Sequence, residues 1–277
     1  MKKSFAVVIL ALLFLNINAQ ANKDSTNANE IEYAFYPQAF YTPETQFAFG
    51  AGGMIYTRLG MEKLLPPSKI LLSGFYTTNR QFFFSVLPSI YFGGSSKTIS
   101  ESKFIFSKDI SKFYGVGNNT EEIENPEYQM GQFRFYTEIG FETNLITEIH
   151  LGFIYEFTTN FNLDKRTNSL LLNDNILGSE GGETSGLGLV ILVDHRENLF
   201  YPTKNSFFKA RIIFLGSDLG GDYTYNRVVV DYRKYFDMGN ENIIASQVYI
   251  ETTSGNVPFF KLPSLGGSEK MRGYFTG

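Results

Sequence analysis

Hydrophobic and polar residues alternate with a period of two along most of the chain. In the clearest run, residues 128–143, odd positions are mainly apolar and even positions mainly polar or charged: Phe133, Phe135, Ile139 and Phe141 against Gln132, Arg134, Glu138 and Glu142. A strand places such residues on two opposite faces, whereas a helix would scatter them around its surface. Segments 148–157, 208–214 and 227–233 keep the same alternation. The pattern therefore predicts strands with one apolar face and one charged face.

Eleven strands are predicted from these runs and from the turn residues between them. Their predicted ranges are 31–42, 45–58, 68–77, 80–94, 97–107, 128–145, 147–161, 182–196, 204–217, 222–237 and 241–254. Two connections, 108–127 and 162–181, are long and polar, whereas 94–97 and 145–147 are tight. Long outer loops and short periplasmic turns are typical of outer-membrane barrels. With a periplasmic N-terminus, both long segments fall outside the cell.

Alternation also fits a soluble β-sandwich with one face in water. Three features favour a transmembrane barrel: strands of about ten residues or more, apolar faces rich in Phe and Tyr, and an export signal. The chain has 28 Phe and 17 Tyr in 277 residues, and no apolar run after the first twenty residues is long enough for a membrane helix. We therefore predict an all-β fold, a transmembrane antiparallel β-barrel.

The N-terminus has the features of a secretory signal peptide. Lys2 and Lys3 precede an apolar stretch at 5–15, and the small residues Ala19 and Ala21 follow it. The apolar stretch is too short to anchor the chain by spanning a bilayer. We predict export to the bacterial outer membrane. The predicted domains are a signal peptide, a flexible segment and the barrel, at 1–21, 22–30 and 31–277.

Charge and composition argue against several other functions. The net charge of −4 gives no reason to expect nucleic-acid binding, and the absence of Cys excludes disulfides, a thiol nucleophile and a lipid anchor on Cys. The chain has two histidines, His150 and His195. A phospholipase needs a Ser–His pair at the lipid-facing surface, whereas His150 falls on the lumen side of its strand. No His is spaced with carboxylates in a pattern that is recognisable as a metal site. We predict no catalysis, cofactor, metal or nucleic-acid partner.

Three short stretches lie at junctions of the predicted strands. YTPET at 41–45 joins the first two strands, DHRENLFYP at 194–202 joins the eighth and ninth, and LGGSEKMRGY at 265–274 follows the eleventh. Together they resemble the opening hairpin, the Asp-x-Arg…Tyr-Pro turn and the Arg-Gly-Phe/Tyr loop of the BamA/TamA family, the bacterial surface-antigen barrels. Asn205 stands where the family usually has Gly, and Asn also tolerates positive φ.

The resemblance implies a sixteen-stranded barrel whose Arg-Gly-Phe/Tyr loop follows strand eleven and folds back into the lumen. Arg272 would then be the lumen-loop residue, and Gly273 and Tyr274 would shape the tip of the loop. An Arg in a polar lumen needs carboxylate partners, which the family places on later strands.

Asp194 and Arg196 are two positions apart, so their side chains are expected to share one face of the strand. We interpret the pair as the lock of a periplasmic turn and assign it no catalytic role. Pro202 is expected at a turn or at the start of a strand, because it has no N–H to donate to a sheet.

Two departures from the family pattern concern the ends of the chain. The sequence stops at Gly277, inside the Arg-Gly-Tyr loop, so we expect strands twelve to sixteen to be missing. A truncated gene or fragment would explain this, and a smaller barrel that closes alone is the alternative. The ten residues or so between the signal peptide and the first strand leave no room for a POTRA domain.

Family resemblance implies a non-enzymatic insertase or translocator. Its expected partners are outer-membrane lipid, unfolded outer-membrane proteins and periplasmic partner proteins. The alternative is a passive channel or structural surface protein. Either would have a charged lumen, lined on this register by Arg134, Glu138, Glu142, Glu148, Glu156, Lys209, Arg211 and Asp231.

Overall fold

One antiparallel sheet of eleven strands, arranged in chain order, forms the described part of the computed structural model. The strands are β1 Ile31–Thr42, β2 Gln46–Thr57, β3 Ser68–Thr77, β4 Phe82–Phe92, β5 Thr98–Lys112, β6 Glu127–Glu142, β7 Ile149–Asp164, β8 Glu183–Asp194, β9 Asn205–Leu215, β10 Tyr225–Asp237 and β11 Ile243–Gly255. The structure describes residues 31–271 except 43–44, 58–66, 93–96, 118–119, 121–122, 125, 144–148, 167, 173–175, 199–200, 265 and 267–269. The predicted signal peptide and the segment 22–30 lie outside the described residues.

All eleven predicted strands are confirmed, and the differences lie at their ends. The largest is in β5, which was predicted to end at residue 107 and continues to Lys112. It continues because residues 107–112 pair one by one with 127–132 of β6. The long polar connection after β5 is correspondingly shorter than predicted. β8 ends at Asp194, two residues before its predicted end.

The two faces of the sheet differ as the period of two predicted. In β6 to β9 the outward positions are exposed and apolar: Ile139, Phe141, Leu151, Phe153, Leu187, Leu189, Ile191, Ile212 and Phe214. The inward positions include the buried residues Glu138, Glu156 and Asp231. Apolar side chains therefore cover the outer face, and the charged side chains share the inner face.

The inner face is strongly concave. Lys209 of β9 lies 3.2 Å from Glu101 of β5, four strands away. In a flat sheet these strands would be about 19 Å apart, because neighbouring strands are about 4.8 Å apart. The sheet must therefore curl like the wall of a barrel. It is not closed, since β1 and β11 each pair with one strand among the described residues.

The strand connections gather at two ends of the sheet. We call the end that holds the connections after β1, β3, β5, β7, β9 and β11 the loop end, and the other the turn end. The loop end carries a short helix, Ser169–Leu172, and two 3-10 turns, Ser217–Leu219 and Phe259–Lys261. In the described ranges, every helix is too short or too polar to cross a membrane.

Candidate functional site

A buried lysine joins two carboxylates at the centre of the inner face. Lys209 Nζ lies 2.7 Å from Glu138 Oε1 and 3.2 Å from Glu101 Oε2. Tyr136 donates its hydroxyl to the other oxygen of Glu138, at 2.6 Å. The side chain of Glu138 is only 6% exposed, whereas that of Glu101 is 41% exposed. The Glu138 carboxylate is therefore compensated by one cation and one hydroxyl.

Further ion pairs extend this polar surface in both directions. Arg227 of β10 pairs with Glu156 of β7. Nearer the turn end, Arg233 makes a two-pronged contact with Asp231, at 3.1 and 2.6 Å, and Gln247 donates to the same carboxylate at 2.9 Å. Each of these carboxylates has a cationic partner, so the inner face is polar and its buried carboxylates are paired.

The chain folds back over the inner face after β11. We call residues 256–271 the return segment. Its Phe259 is buried among residues of the β5–β6 and β7–β8 connections and the strand ends beside them, in a cluster with Phe113, Tyr128, Met130 and Leu171. The ring centroid of Phe259 lies 5.0 Å from that of Phe113 and 5.3 Å from that of Tyr128. The return segment is thus fixed to the loop end by an aromatic contact.

Two lysines of the return segment contact strands of the sheet. Lys261 donates to the hydroxyl of Thr158 on β7, at 2.6 Å. Lys270 pairs with Glu251 on β11, at 2.7 Å, and lies 4.9 Å from the centre of the Tyr249 ring. Between β11 and the return segment is a cavity of about 450 Å³. The described part of the segment therefore lies against the inner face from β7 to β11.

The predicted lumen-loop residues Arg272, Gly273 and Tyr274 lie outside the described residues, as does Glu148. The other predicted lumen charges share the inward-facing register of their strands: Arg134, Glu138, Glu142, Glu156, Lys209, Arg211 and Asp231.

Sequence reasoning missed Glu101, Phe259, Lys261 and Lys270. The sequence did indicate the face on which Glu101 lies. Glu101 and Lys103 are two positions apart and so share one face of the strand, and Phe104 lies on the other. The three residues of the return segment gave no such signal, since they lie outside any strand and their partners are more than fifteen residues away in sequence.

Asp194 and Arg196 form a compact ion pair where β8 ends. The guanidinium donates to both carboxylate oxygens, at 2.8 and 2.6 Å, and the Arg196 backbone N–H donates to the same group at 3.1 Å. Arg196 also lies over the ring of Phe207, 4.6 Å from its centre. The side-chain hydrogen bond to Asp194 raises the pKa of Arg196. The geometry ties the start of the β8–β9 connection to the first residues of β9.

Glu197 stabilises the second half of the β8–β9 connection. Its carboxylate accepts the hydroxyl of Thr203 at 2.6 Å and the N–H of Lys204 at 3.2 Å. These hydrogen bonds, those of Thr203 first, lower the pKa of Glu197 to about 2. Pro202 lies in the connection, three residues before β9. Asn205 has a φ of +70°, which confirms the expectation that this position needs a residue tolerant of positive φ.

Two observations concern the predicted position of His150 and the grouping of metal-ligating side chains. His150 pairs in register with Glu142 and so lies on the inner face. Within the same ranges, no three His, Asp or Glu side chains are grouped closely enough to hold a metal ion.

The family model described as the Omp85 superfamily domain matches residues 48–277, which include ten of the eleven strands. The chain belongs to the Omp85 superfamily. The match confirms the family resemblance that the three junction motifs predicted. It also agrees with the observed architecture, a curled antiparallel sheet with a segment that folds back after strand eleven.

Two comparisons find BamA proteins that this Omp85 chain is similar to. It is 30% identical over 77 residues to the outer membrane protein assembly factor BamA of Nitratidesulfovibrio vulgaris, covering 26% of this chain and 10% of that protein. Its fold is similar to the crystal structure of Haemophilus ducreyi BamA lacking POTRA domains 1–3, with a TM-score of 0.53 and 16% identity. That likeness covers 90% of this chain and 46% of the other. The chain thus spans less than half the length of either protein.

Lys261 should make the stability of this Omp85 fold depend on pH. Burial lowers the pKa of its ammonium from 10.5 to about 8, Glu156 opposes the shift, and Arg227 and Arg134 add to it. Between pH 8 and 10.5 the unfolded chain binds more protons than the folded one, so the free energy of unfolding rises with pH. Compared with a Lys261→Met variant, the parent should gain about 2 kcal/mol between pH 7.5 and 9.5. Urea unfolding of both proteins at the two pH values measures this difference, and equal gains would contradict it.

Proposed function

We propose that this protein is an outer-membrane barrel that assists other proteins to insert into or cross the outer membrane, without catalysis. The observation that carries the proposal is the Omp85 match over residues 48–277, together with the return segment that occupies the concave inner face. The name of the Nitratidesulfovibrio relative, an outer membrane protein assembly factor, supports the same role. In this proposal, the partners are outer-membrane lipid, unfolded outer-membrane proteins and periplasmic partner proteins.

The two faces of the sheet supply the chemistry that such a role needs. Lipid would contact the outward apolar side chains. β2 to β10 each pair with a strand on both sides, which satisfies most of their backbone polar groups, as a bilayer requires. A substrate segment would meet a polar inner face whose buried carboxylates are paired, and such a face binds an extended chain weakly. No bond is made or broken in this process.

The first strand is suited to transient pairing with a substrate strand. Among the described strands, β1 pairs with β2 alone, and an exposed strand edge accepts a further strand through backbone hydrogen bonds. Pro37 lies in the middle of β1, opposite Ala51. Because Pro has no N–H, it cannot donate to a neighbouring strand and weakens pairing at that position. A substrate strand added there would be held less firmly than one in a regular ladder.

Depletion of the protein in its own bacterium tests the proposal. We expect the folded amounts of several outer-membrane proteins to fall together, while their messenger RNA levels stay constant. A copy with Pro37→Val, which completes the hydrogen-bonding edge of β1, should restore these amounts less well than the parent copy. Normal levels of outer-membrane proteins after complete depletion would refute the insertase role.

The charged inner face also supports a second candidate, a passive channel. Conductance in planar bilayers distinguishes the two functions. A channel should conduct steadily, whereas an assembly protein with an occupied lumen should be mostly closed. In the second case Arg272→Ala should open the pore if the family role of Arg272 applies here.

A further inference from the structure

The loop end carries a preformed socket for one aromatic ring. We call Phe113, Tyr128, Met130 and Leu171 the socket. Phe259 is 6% exposed within it, and its ring meets those of Phe113 and Tyr128 at 63° and 73°, nearly edge to face. An edge-to-face aromatic pair at such a distance stabilises the structure by more than the burial of its apolar area alone would. Phe259 therefore has a specific place in the socket.

The socket is braced independently of the return segment. Asn168, which is fully buried, donates its amide to the carbonyl oxygens of Phe113 and Pro126, at 3.1 and 2.7 Å. Its side-chain oxygen accepts the N–H groups of Leu170 and Leu171, at 3.1 and 3.2 Å. One side chain thus ties the β5–β6 connection to the β7–β8 connection. None of these four bonds involves a residue of the return segment, so we expect the socket to keep its shape when Phe259 leaves. The segment adds one backbone bond to the β7–β8 connection, from the Phe259 N–H to the carbonyl of Leu177 at 2.9 Å.

The polar contacts of the return segment are weaker anchors than this ring. Lys261 and Lys270 reach the strands through the ends of long side chains. Burial desolvates the ammonium of Lys261, which offsets what its hydrogen bond to Thr158 gains. Lys270, whose side chain is 22% exposed, can exchange its partners for water with little net loss. When a large ring leaves a closed apolar site, water does not replace the contacts that are lost.

We infer that Phe259 is a latch: its insertion into the socket holds the return segment on the inner face, and its release frees the segment while the sheet stays folded. This inference deepens the proposed function, since a latched segment keeps the inner face occupied between substrates.

The absence of Cys from the chain allows a direct measurement of the latch. Ser264, a half-buried residue of the return segment, borders the cavity next to β11. In the full-length protein with Ser264→Cys, folded in liposomes, labelling by a PEG-maleimide reports exposure of the segment. We expect Phe259→Ala and Leu171→Ala each to raise the labelling rate by about tenfold or more. Phe259→Leu, which keeps an apolar side chain and loses the ring, should give an intermediate rate.

Two controls make the result specific. Leu172→Ala is the same change next to Leu171, at a side chain that is 56% exposed, and should label like the parent. Lys270→Met removes one polar contact of the segment, to Glu251, and should raise the rate much less than Phe259→Ala does. Heat-dependent gel mobility verifies that each variant is folded. If Phe259→Ala does not fold, the labelling rates of Phe259→Leu and Leu171→Ala test the latch instead.

A folded Phe259 variant that labels at the parental rate would overturn the latch. So would a Lys270→Met rate as high as that of Phe259→Ala. The assay contains no substrate protein, so failure of the proposed insertase function in the cell would leave its outcome unaffected.

Discussion

Replacement of Lys209 by Met should destabilise the folded protein by about 3 kcal/mol, because removing one partner of a buried ion pair leaves an uncompensated charge. Glu138 would keep the hydroxyl of Tyr136, at 2.6 Å, and the attraction of Arg211, but no direct cationic contact, in a site where its side chain is 6% exposed. The lost attraction to Glu101 adds less, since that carboxylate is 41% exposed and water can solvate it. Urea unfolding, followed by the change in gel mobility of the folded barrel, measures the effect.

Two further variants show whether the cause is the buried charge. The double variant Lys209→Met with Glu138→Gln should recover most of the lost stability, since no bare carboxylate remains. Lys97→Ala removes a cation that is 43% exposed and lies 3.9 Å from Glu142, and should cost less than about 1 kcal/mol. If the double variant were as unstable as Lys209→Met alone, packing of the lysine stem and not charge would be the reason.

The two-residue period was sufficient to assign the charges of this cluster to the inner face. Lys209 and Glu138 each alternate with large apolar neighbours, so their side of the strand followed from local sequence alone. Their contact did not follow. β6 and β9 are three strands apart in the sheet, and only the curvature of the sheet brings the two side chains together. A local pattern shows on which face of the sheet a residue lies, whereas the curvature of the sheet decides which distant side chain it contacts.

Strand ends and the loop end were harder to predict for a related reason. β5 continues past residue 107 because β6 supplies pairing partners for residues up to Lys112, although that stretch is polar and resembles a loop. The socket combines residues from two connections, between Phe113 and Leu171, and Phe259 reaches it from 88 residues beyond Leu171. No periodicity connects such segments. The junction motifs did identify the family, because turns need particular residues at particular backbone angles, as Asn205 illustrates.

Leu189→Arg should prevent stable insertion of the barrel or destabilise it by about 2–4 kcal/mol, the cost of Arg on the lipid face near the bilayer midplane. Leu189 lies in the middle of β8, is 51% exposed, and pairs with the outward-facing residues Phe153 and Ile212. Its surroundings on the outer face are apolar, so the guanidinium would find no carboxylate there. Urea titration of the protein folded into liposomes measures the cost.

The same substitution near the end of a strand shows whether the outer face contacts lipid or is exposed to water. Phe236 is outward-facing, 46% exposed and one residue from the turn end of β10. There an Arg can extend to the interface, so Phe236→Arg should cost at most about 1 kcal/mol. A dependence on depth is therefore expected between the two variants. In a sheet whose outer face met water, both substitutions would stay within about 0.5 kcal/mol of the parent, and equal small effects at both positions would show that the apolar face does not contact a bilayer.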